Sequence, residues 1–224
     1  MRFCPASDQS MLIYLGDEIS LATHERTLKL LQLLRTEPPV WLRNIQPAYC
    51  SLMLTFDACR VDHAEVQAVL RQFEQRTESL RSRKSRTVDI PVCYDSEFAP
   101  DLEHLARIHN LKPQDVVRLH TSRSYHAYFL GFAPGFAYLG DLADQIATPR
   151  LDVPRRKVPA GSVAIAGKQT AVYPFSTPGG WRLIGRTPLT LFRADREPME
   201  LISMGDQVRF RSISRKEYSE LASE

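Results

Sequence analysis

The sequence has few cysteines and no long apolar run, and each shortage excludes a class of protein. Its four cysteines, at positions 4, 50, 59 and 93, include no closely spaced pair, which argues against a zinc knuckle or a CxxC redox motif. No stretch approaches the roughly 20 apolar residues of a membrane helix, and the first residues lack the apolar core of a signal peptide. We therefore expect a cytoplasmic protein with reduced thiols, no metal site and no membrane association.

The chain also has no large excess of positive or negative charge, which argues against nucleic-acid binding. The formal charge of +3 arises from 29 basic and 26 acidic residues, and the run Arg81, Arg83, Lys84 and Arg86 is enough to supply the surplus. A nucleic-acid-binding surface normally gathers more basic residues, with exposed aromatics, on one face. We interpret this run as a solvated linker and predict no nucleic-acid partner.

Ordinary composition and intermediate length indicate a globular protein of two domains. With 224 residues, of which 43% are hydrophobic and 25% charged, the chain can bury a core and is not expected to be disordered. Apolar periodicity in the first part predicts a helix over residues 23–34 after a Thr23 cap, and a capping box formed by Asp62 and Glu65 before a second helix. Strands are predicted over residues 11–15, 45–49, 51–56 and 87–93. This order predicts a small α+β sandwich over residues 1–88.

The remainder, residues 89–224, has a different pattern of predicted elements, with two helices followed by many short strands. Helices are predicted over residues 100–109 and 113–120, each with a proline in its first turn. Short strands separated by turn residues then favour a barrel or sandwich, over residues 125–131, 162–166, 170–173, 181–184, 189–192 and 207–210. Of the ten glycines in the chain, most fall in this half among many prolines, a combination that builds shaped loops able to carry a site. Corners of a barrel are the structural alternative.

One stretch of the sequence resembles a phosphate-binding motif but lacks its required spacing. Residues 161–169, GSVAIAGKQ, superficially resemble a phosphate-binding P-loop. They have five residues between the two glycines, however, and Gln169 stands where a serine or threonine should bind magnesium. The chain therefore carries no nucleotide-binding signature of its own.

Several separated motifs together resemble the KipI/PxpB family, also called allophanate hydrolase subunit 1. They are HTSRSYHAYFLGFAPGFAYLG at residues 120–140, TPR at 148–150, VPAGSV at 158–163, and TPGGWRLIGRT at 177–187. Gly167, Gln169, Tyr173 and Pro174 lie between them in the same order as in the family. The match is specific over residues 116–193 and weaker over the rest of the chain.

The resemblance implies a fold and an activity. It implies an α+β protein, with a small N-terminal α/β sandwich of the ferredoxin-like type followed by a C-terminal cyclophilin-like β-barrel. It also implies the B subunit of an ATP-dependent 5-oxoprolinase, which opens 5-oxo-L-proline to L-glutamate with a KipA/PxpC-like subunit and a PxpA-like subunit. ATP, with magnesium, would be held together with the partner subunit. An unstrained lactam is a poor electrophile, and phosphorylation of its oxygen would explain the need for ATP.

Matching positions suggest which residues form the site. His120 is the first candidate for proton transfer or contact with a phosphate oxygen, since an imidazole titrates near neutrality; a satisfied core histidine is the alternative. Arg150 is the candidate for a carboxylate or phosphate clamp, and Arg155 is a weaker second. The remaining candidates for substrate binding are Phe132, Pro134, Gly135, Phe136, Gln169, Tyr173, Gly179, Gly180, Trp181 and Thr187. Phe132, Phe136 and Trp181, with Tyr138, are expected to line the pocket or a subunit interface, while Gln169, Tyr173 and Thr187 are expected to supply neutral hydrogen bonds to a small polar ligand. Gly179→Val is expected to abolish activity while leaving the fold intact.

Three other functions remain open from the sequence, and one of them is a bare protein-interaction module with no ligand. The KipI branch of the same family resembles an inhibitor of histidine-kinase autophosphorylation, which needs a docking surface and no turnover. A component of urea-degrading allophanate hydrolase is less favoured, because nothing in the chain resembles the serine-rich signature of an amidase or a biotin-dependent carboxylase.

Overall fold

The computed structural model describes residues 1–80 and 85–223. The chain forms two compact units, Met1–Lys84 and Ser85–Glu224. The boundary expected after residue 88 falls inside a strand, Thr87–Cys93, which begins the second unit. Of the basic run predicted as a linker, Arg81, Arg83 and Lys84 lie outside the described residues. Arg86 lies in the second unit and forms an ion pair with Asp206, with 2.7 Å between guanidinium nitrogen and carboxylate oxygen.

The first unit contains one antiparallel sheet and two helices. Its elements are β1 Arg2–Ser7, β2 Ser10–Tyr14, α1 Leu21–Thr36, β3 Leu42–Ala48, β4 Ser51–Phe56 and α2 His63–Thr77. The four strands are ordered β1-β2-β4-β3. Alternate residues on the central strands, including Met11, Ile13, Leu52 and Leu54, are fully buried, as the period of two in a β-strand requires for a sheet with one apolar face.

The caps of these helices explain where they begin. The predicted capping box is confirmed: Asp62 accepts a hydrogen bond from the Glu65 amide, and Glu65 accepts one from the Asp62 amide, each at 2.9 Å. The predicted Thr23 cap is wrong, because the side chain of Ser20 accepts from the Thr23 amide and α1 starts at Leu21. Serine and threonine are both favourable N-cap residues, so apolar periodicity could not distinguish Ser20 from Thr23. The helix was therefore predicted to start about one turn late.

The strand order bears on the ferredoxin-like expectation, which stays a prediction. A βαββαβ unit takes its last strand from the segment after the second helix. Here the edge position beside β2 is filled by β1, which precedes the first helix, and the segment after α2 leads instead to the second unit. Strand β1 was not predicted, since its Cys-Pro sequence interrupts the apolar alternation.

The second unit is built around a closed barrel. Its strands are β5 Thr87–Cys93, β6 Ser124–Leu130, β7 Ala137–Gly140, β8 Arg155–Val158, β9 Ser162–Ala166, β10 Gln169–Val172, β11 Thr177–Gly179, β12 Arg182–Arg186 and β13 Gln207–Ile213. Its helices are α3 Leu102–Ile108, α4 Pro113–Thr121 and α5 Arg215–Leu221. Seven strands close the barrel in the order β10-β7-β6-β13-β5-β12-β9, while β8 and β11 form a separate two-stranded ribbon. The barrel is thus observed, and the cyclophilin-like label stays a prediction.

Strand β5 is the element whose role differs most from expectation. It was assigned to the first domain as a closing strand, but it pairs in parallel with β13 over its whole length, from Thr87 opposite Gln207 to Cys93 opposite Ile213. Its residues Val88, Ile90 and Val92 are buried in the barrel core. This pairing joins segments that lie far apart in the sequence, a separation that local pattern cannot reveal.

Several smaller elements also differ from the sequence-based expectations. The strand predicted over residues 189–192 is wrong: this segment makes only an isolated bridge between Phe192 and Glu200. The first predicted helix of this half begins at Leu102 and not at residue 100. Strands β7, β8 and β11 are too short to show a clear alternation, and helix α5 was not predicted from the sequence.

The four cysteines are all free thiols. No helix within residues 1–80 and 85–223 combines the length and apolarity needed to cross a membrane.

Candidate functional site

The candidate site lies on the outer face of the barrel, over β9, β10 and β12. Along β9, Val163 and Ile165 point into the barrel core, while Ala164 and Ala166 belong to a second apolar cluster outside it. Ala171 on β10 belongs to the same outer cluster. Because alanine side chains are small, this face leaves room for large rings to pack directly on the sheet.

Five rings fill that space and form the aromatic cluster: Phe132, Phe136, Tyr138, Tyr173 and Trp181. Phe136 is central, with ring centroids 5.0 Å from Tyr138, 5.3 Å from Tyr173 and 5.6 Å from Trp181. All three contacts are edge-to-face, the arrangement favoured by the aromatic quadrupole. The sequence-based expectation grouped these rings except Tyr173, which was expected to donate or accept hydrogen bonds. The structure also packs Tyr173 against Phe136.

Glycines allow the β8–β11 ribbon to cover the cluster. A β carbon built on Gly179 would overlap the hydroxyl oxygen of Tyr173, so only glycine fits where β11 crosses that ring. The neighbouring Gly180 is different, since a β carbon there would meet its nearest atom, in Pro154, at 3.6 Å, an ordinary contact. Of these two predicted glycines, Gly179 is the one that the packing requires.

Arg150 provides the exposed charge beside the cluster. Its guanidinium carbon lies 5.7 Å from the centroid of the Trp181 ring, within the range of a cation–π contact. Hydrogen bonds hold the segment in place: the Leu151 amide donates to the Gly180 carbonyl at 2.7 Å, and the Arg182 side chain donates to the Pro149 carbonyl at 3.3 Å. Within the described part of the chain, Arg150 has no carboxylate partner, so its guanidinium fork remains available to an anionic ligand.

Arg155, the second predicted cation, is engaged with Asp101 instead. A guanidinium nitrogen of Arg155 lies 2.7 Å from one Asp101 carboxylate oxygen, and the other oxygen accepts a hydrogen bond from the Leu183 amide at 2.6 Å. Arg155 also donates to the Trp181 carbonyl at 3.4 Å. The Arg155–Asp101 ion pair therefore links the ribbon to the start of β12. Through its contact with the Trp181 carbonyl, Arg155 helps to position Trp181.

The two tyrosines of the cluster remain protonated at neutral pH. Burial raises the pKa of Tyr173, opposed by a backbone hydrogen bond with Trp181 and by the charges of Arg150 and Arg155. Burial likewise raises the pKa of Tyr138, opposed by Arg150. A cation beside aromatic rings and phenolic hydroxyls suits a small planar ligand that carries a carboxylate.

A strained loop borders the cluster at residues 131–135. Phe132 has a φ of 71°, a left-handed value uncommon for a residue other than glycine, and its side chain is 62% exposed. Its ring still contacts Phe136 at 5.3 Å and Tyr173 at 6.3 Å between centroids. Gly135 takes a φ of 78°, and Pro134 is exposed beside it. This loop and Glu200 line a shallow hollow of about 340 Å³.

His120 lies apart from this site, inside the barrel core. Its side chain has no exposed surface, Nδ1 lies 2.8 Å from the Tyr94 hydroxyl, and Nε2 lies 2.9 Å from the Thr170 hydroxyl. Thr170 donates to the Ala164 carbonyl at 3.0 Å, so its oxygen accepts from Nε2–H and Nδ1 accepts from Tyr94. Burial lowers the pKa of His120 to about 3. The proton-transfer role stays a prediction for this buried ring.

Two further candidates also lie outside the aromatic cluster. Thr187 is buried; its amide donates to the Gly161 carbonyl at 2.9 Å, and its hydroxyl accepts from the Leu189 amide at 3.3 Å. Gln169 begins β10 opposite Ala166, at the hairpin that joins β9 and β10. Both residues shape turns of the barrel, and their predicted contact with substrate is untested.

Sequence reasoning missed Asp101 and gave Arg182 no role. Asp101 is 54 positions from Arg155 and 82 from Leu183, so no motif spacing connects them. Asp101 is buried at the start of α3 but does not cap that helix with its side chain. A buried carboxylate needs hydrogen-bond partners, so it must bind groups elsewhere in the fold. In the described ranges 1–80 and 85–223, no group of three or more His, Cys, Asp and Glu side chains is placed to hold a metal ion.

Comparison with known proteins identifies relatives of the whole chain. The family model described as carboxyltransferase domain, subdomain C and D, matches residues 1–202. A protein of Bacillus subtilis, named as the B subunit of 5-oxoprolinase, is 42% identical over 221 residues, which cover 94% of this chain and 92% of that protein. A protein of Escherichia coli O157:H7 with the same name is 49% identical over 141 residues, covering 63% of this chain and 64% of that one.

Solved structures show the same fold within longer chains. The crystal structure of TTHA0988 matches with a TM-score of 0.82 and 34% identity, over 93% of this chain but only 40% of that chain. The urea carboxylase of Kluyveromyces lactis matches with a TM-score of 0.77 over 99% of this chain and 22% of that one. Its identity of 18% supports a shared fold and nothing further.

Proposed function

The chain belongs to the KipI/PxpB family of 5-oxoprolinase B subunits, and from this premise we propose that it is the B subunit of an ATP-dependent 5-oxoprolinase. The observation that carries the proposal is the 42% identity to a protein of that name over almost the whole of both chains. In the proposed reaction, 5-oxo-L-proline is opened to L-glutamate with a KipA/PxpC-like and a PxpA-like subunit. ATP, with its magnesium ion, binds where this chain meets its partner.

The aromatic cluster with Arg150 supports a role in holding the lactam. 5-Oxoproline is a small, nearly planar ring with one carboxylate. The guanidinium of Arg150 matches a carboxylate in two parallel hydrogen bonds, and the Trp181 ring beside it offers a flat apolar surface. Within the cluster, Tyr138 and Tyr173 carry protonated hydroxyls able to donate to a lactam or phosphate oxygen.

This site supplies position and charge stabilisation and contains no evident nucleophile. Phosphoryl transfer from ATP to the lactam oxygen would make the ring carbon electrophilic, and water would then add to that carbon. The C–N bond would break with protonation of the nitrogen, and a second water would hydrolyse the resulting acyl phosphate to glutamate and phosphate. For such a step, a fixed orientation of the lactam is the principal contribution that this chain offers. The Asp101–Arg155 pair supports that orientation because it anchors both the ribbon and Trp181.

Deletion of the gene tests the proposal in the cell. We expect the deletion strain to accumulate 5-oxoproline and to lose growth on 5-oxoproline as nitrogen source, with both defects reversed by the intact gene. An Arg150→Ala gene should restore them poorly. Normal use of 5-oxoproline in the deletion strain, together with raised histidine-kinase autophosphorylation, would overturn the proposal in favour of the kinase-inhibitor branch.

A further inference from the structure

Four basic side chains lie along the ribbon and the segments beside it, more than the lactam requires. They are Arg150, Arg156, Lys157 and Arg182, named here the basic ribbon. Arg150, Arg156 and Lys157 are exposed, and Arg182 is half-buried. A single carboxylate needs one guanidinium, so the charge at this face exceeds what 5-oxoproline alone can use.

The four cations lie on segments that hydrogen bonds join to one another. Residues 149–151 run beside residues 180–182 through the Leu151 amide and the Gly180 carbonyl, 2.7 Å apart, while the Arg182 side chain reaches the Pro149 carbonyl. Strand β8, which carries Arg156 and Lys157, pairs with β11 so that Arg155 lies opposite Gly179. The same short stretch thus holds Arg150 over Trp181 and extends the positive charge outward along β8.

These cations differ from most other arginines of the second unit in lacking carboxylate partners. Ion pairs join a carboxylate to each of Arg86, Arg118, Arg155, Arg193, Arg209, Arg211 and Arg215. Within residues 1–80 and 85–223, no such pair involves a member of the basic ribbon. Asp152, an exposed acidic residue in the same stretch, likewise forms none among the described residues. The net positive charge of this face is therefore not neutralised by ion pairs within the described part of the chain.

We propose that the members of the basic ribbon other than Arg150 bind the phosphate groups of a polyphosphate ligand next to the lactam site. Guanidinium forks match phosphate oxygens, and lysine adds a mobile point charge. The chain has no P-loop, so phosphates are held by side chains and not by a glycine-rich loop. The choice of a triphosphate as the natural ligand rests on the proposed function; the binding of phosphate itself does not.

Tryptophan fluorescence of the full chain provides a direct test. The sequence has two tryptophans, so Trp41→Phe leaves Trp181, beside Arg150, as the reporter. We expect inorganic tripolyphosphate to change Trp181 emission with saturation, and the apparent Kd to weaken at least tenfold between about 50 and 300 mM salt, because screening weakens exposed charge interactions. The same titration with ATP distinguishes a free polyphosphate from a nucleoside triphosphate as ligand. Equal affinity would show that the protein binds only the phosphates, and tighter binding of ATP would show an additional contact with the nucleoside.

Matched substitutions locate the binding. Arg156→Gln combined with Lys157→Gln should weaken tripolyphosphate binding at least tenfold. Arg209→Gln removes a cation from β13, which lies across the barrel from β9, and should leave the affinity unchanged. Absence of saturable binding, equal affinity in the Arg156/Lys157 variant, or tighter binding of an acidic peptide than of tripolyphosphate would each overturn the proposal. The isolated chain is used without partners or turnover, so failure here is distinct from failure of the oxoprolinase function.

Discussion

Gly179 lies so close to the hydroxyl group of Tyr173 that a β carbon at this position would overlap the hydroxyl oxygen. Tyr173 is almost completely buried and packs edge-to-face against Phe136, so its ring has little room to move. Gly179→Val should therefore displace the ribbon from the aromatic cluster, reduce activity at least tenfold and destabilise the protein by about 1–3 kcal/mol. This cost revises the expectation that the fold would be unaffected.

Gly180→Ala is the matched control for that substitution, because its β carbon meets only ordinary contacts. Urea unfolding and steady-state kinetics of both variants provide the comparison. In the pair Gly179→Ala and Tyr173→Phe, the double variant should recover part of the stability lost by Gly179→Ala, since phenylalanine lacks the nearest atom. Equal stability of Gly179→Val and wild type would contradict the close packing of β11 on Tyr173.

The ion pair between Asp101 and Arg155 predicts coupling between stability and the site. Asp101→Asn removes the charge that Arg155 faces and should cost about 2 kcal/mol of unfolding free energy. Because Arg155 also contacts the Trp181 carbonyl, the KM for 5-oxoproline should rise in the same variant. Asp152→Asn removes an equal charge from an exposed position and should change neither quantity. A rise in KM with Asp152→Asn as large as with Asp101→Asn would show that net charge, and not position, is responsible.

Arg150 is predicted to bind substrate in the ground state. Loss of one charged hydrogen-bonding partner costs roughly 1.5–3 kcal/mol, so Arg150→Gln should raise the KM for 5-oxoproline by about 10- to 100-fold, with a smaller change in kcat. Arg150→Lys should restore only part of the affinity, since an ammonium group lacks the guanidinium fork. An unchanged KM in Arg150→Gln would remove Arg150 from the site.

Burial of His120 predicts a specific dependence of stability on pH. The pKa is lowered to about 3 in the folded protein against 6.5 for an unperturbed imidazole, so the unfolded chain binds the additional proton first. This contribution to stability is complete above pH 6.5 and is lost as the pH falls from there toward 3, by up to about 1.4 kcal/mol per pH unit.

Nuclear magnetic resonance of the imidazole measures this directly. We expect the His120 ring to remain neutral, in the Nε2–H form, between about pH 8 and pH 5, because its pKa lies well below that range. A midpoint near the ordinary value of about 6.5 would contradict the buried arrangement. It would also support the proton-transfer role that the sequence suggested, since general acid–base catalysis works best with a pKa near the working pH.

Local patterns predicted the elements whose side chains have a clear period, and the site residues suggested by the motifs stay a prediction. The capping box at Asp62 and strands β4 and β9 follow from residues close together in the sequence, whereas the contacts of Phe136 with Tyr173 and Trp181 join separate segments of the chain. The role of β5 depended on pairing with β13, and the role of Arg155 depended on Asp101. Such distant contacts are set by tertiary packing, which no local pattern encodes.

The outer position of the aromatic cluster was also beyond sequence reasoning. The sequence pattern predicted strands at β9 and β10. It could not show which face of each strand lies inside the barrel and which lies outside. His120 is the first residue of the matching motif at residues 120–140, yet its ring lies inside the barrel between Tyr94 and Thr170. Proximity in sequence to a site motif therefore did not establish proximity in space.

The most direct test of the oxoprolinase function is ATP-dependent formation of glutamate from 5-oxoproline by this chain mixed with its KipA/PxpC-like and PxpA-like partners. Each component is omitted in turn, and ADP and glutamate are measured together. We expect glutamate formation that requires all three proteins and ATP, and that falls sharply with Arg150→Ala. Full activity without this chain, or none when all three are folded and bound to one another, would contradict the proposed function.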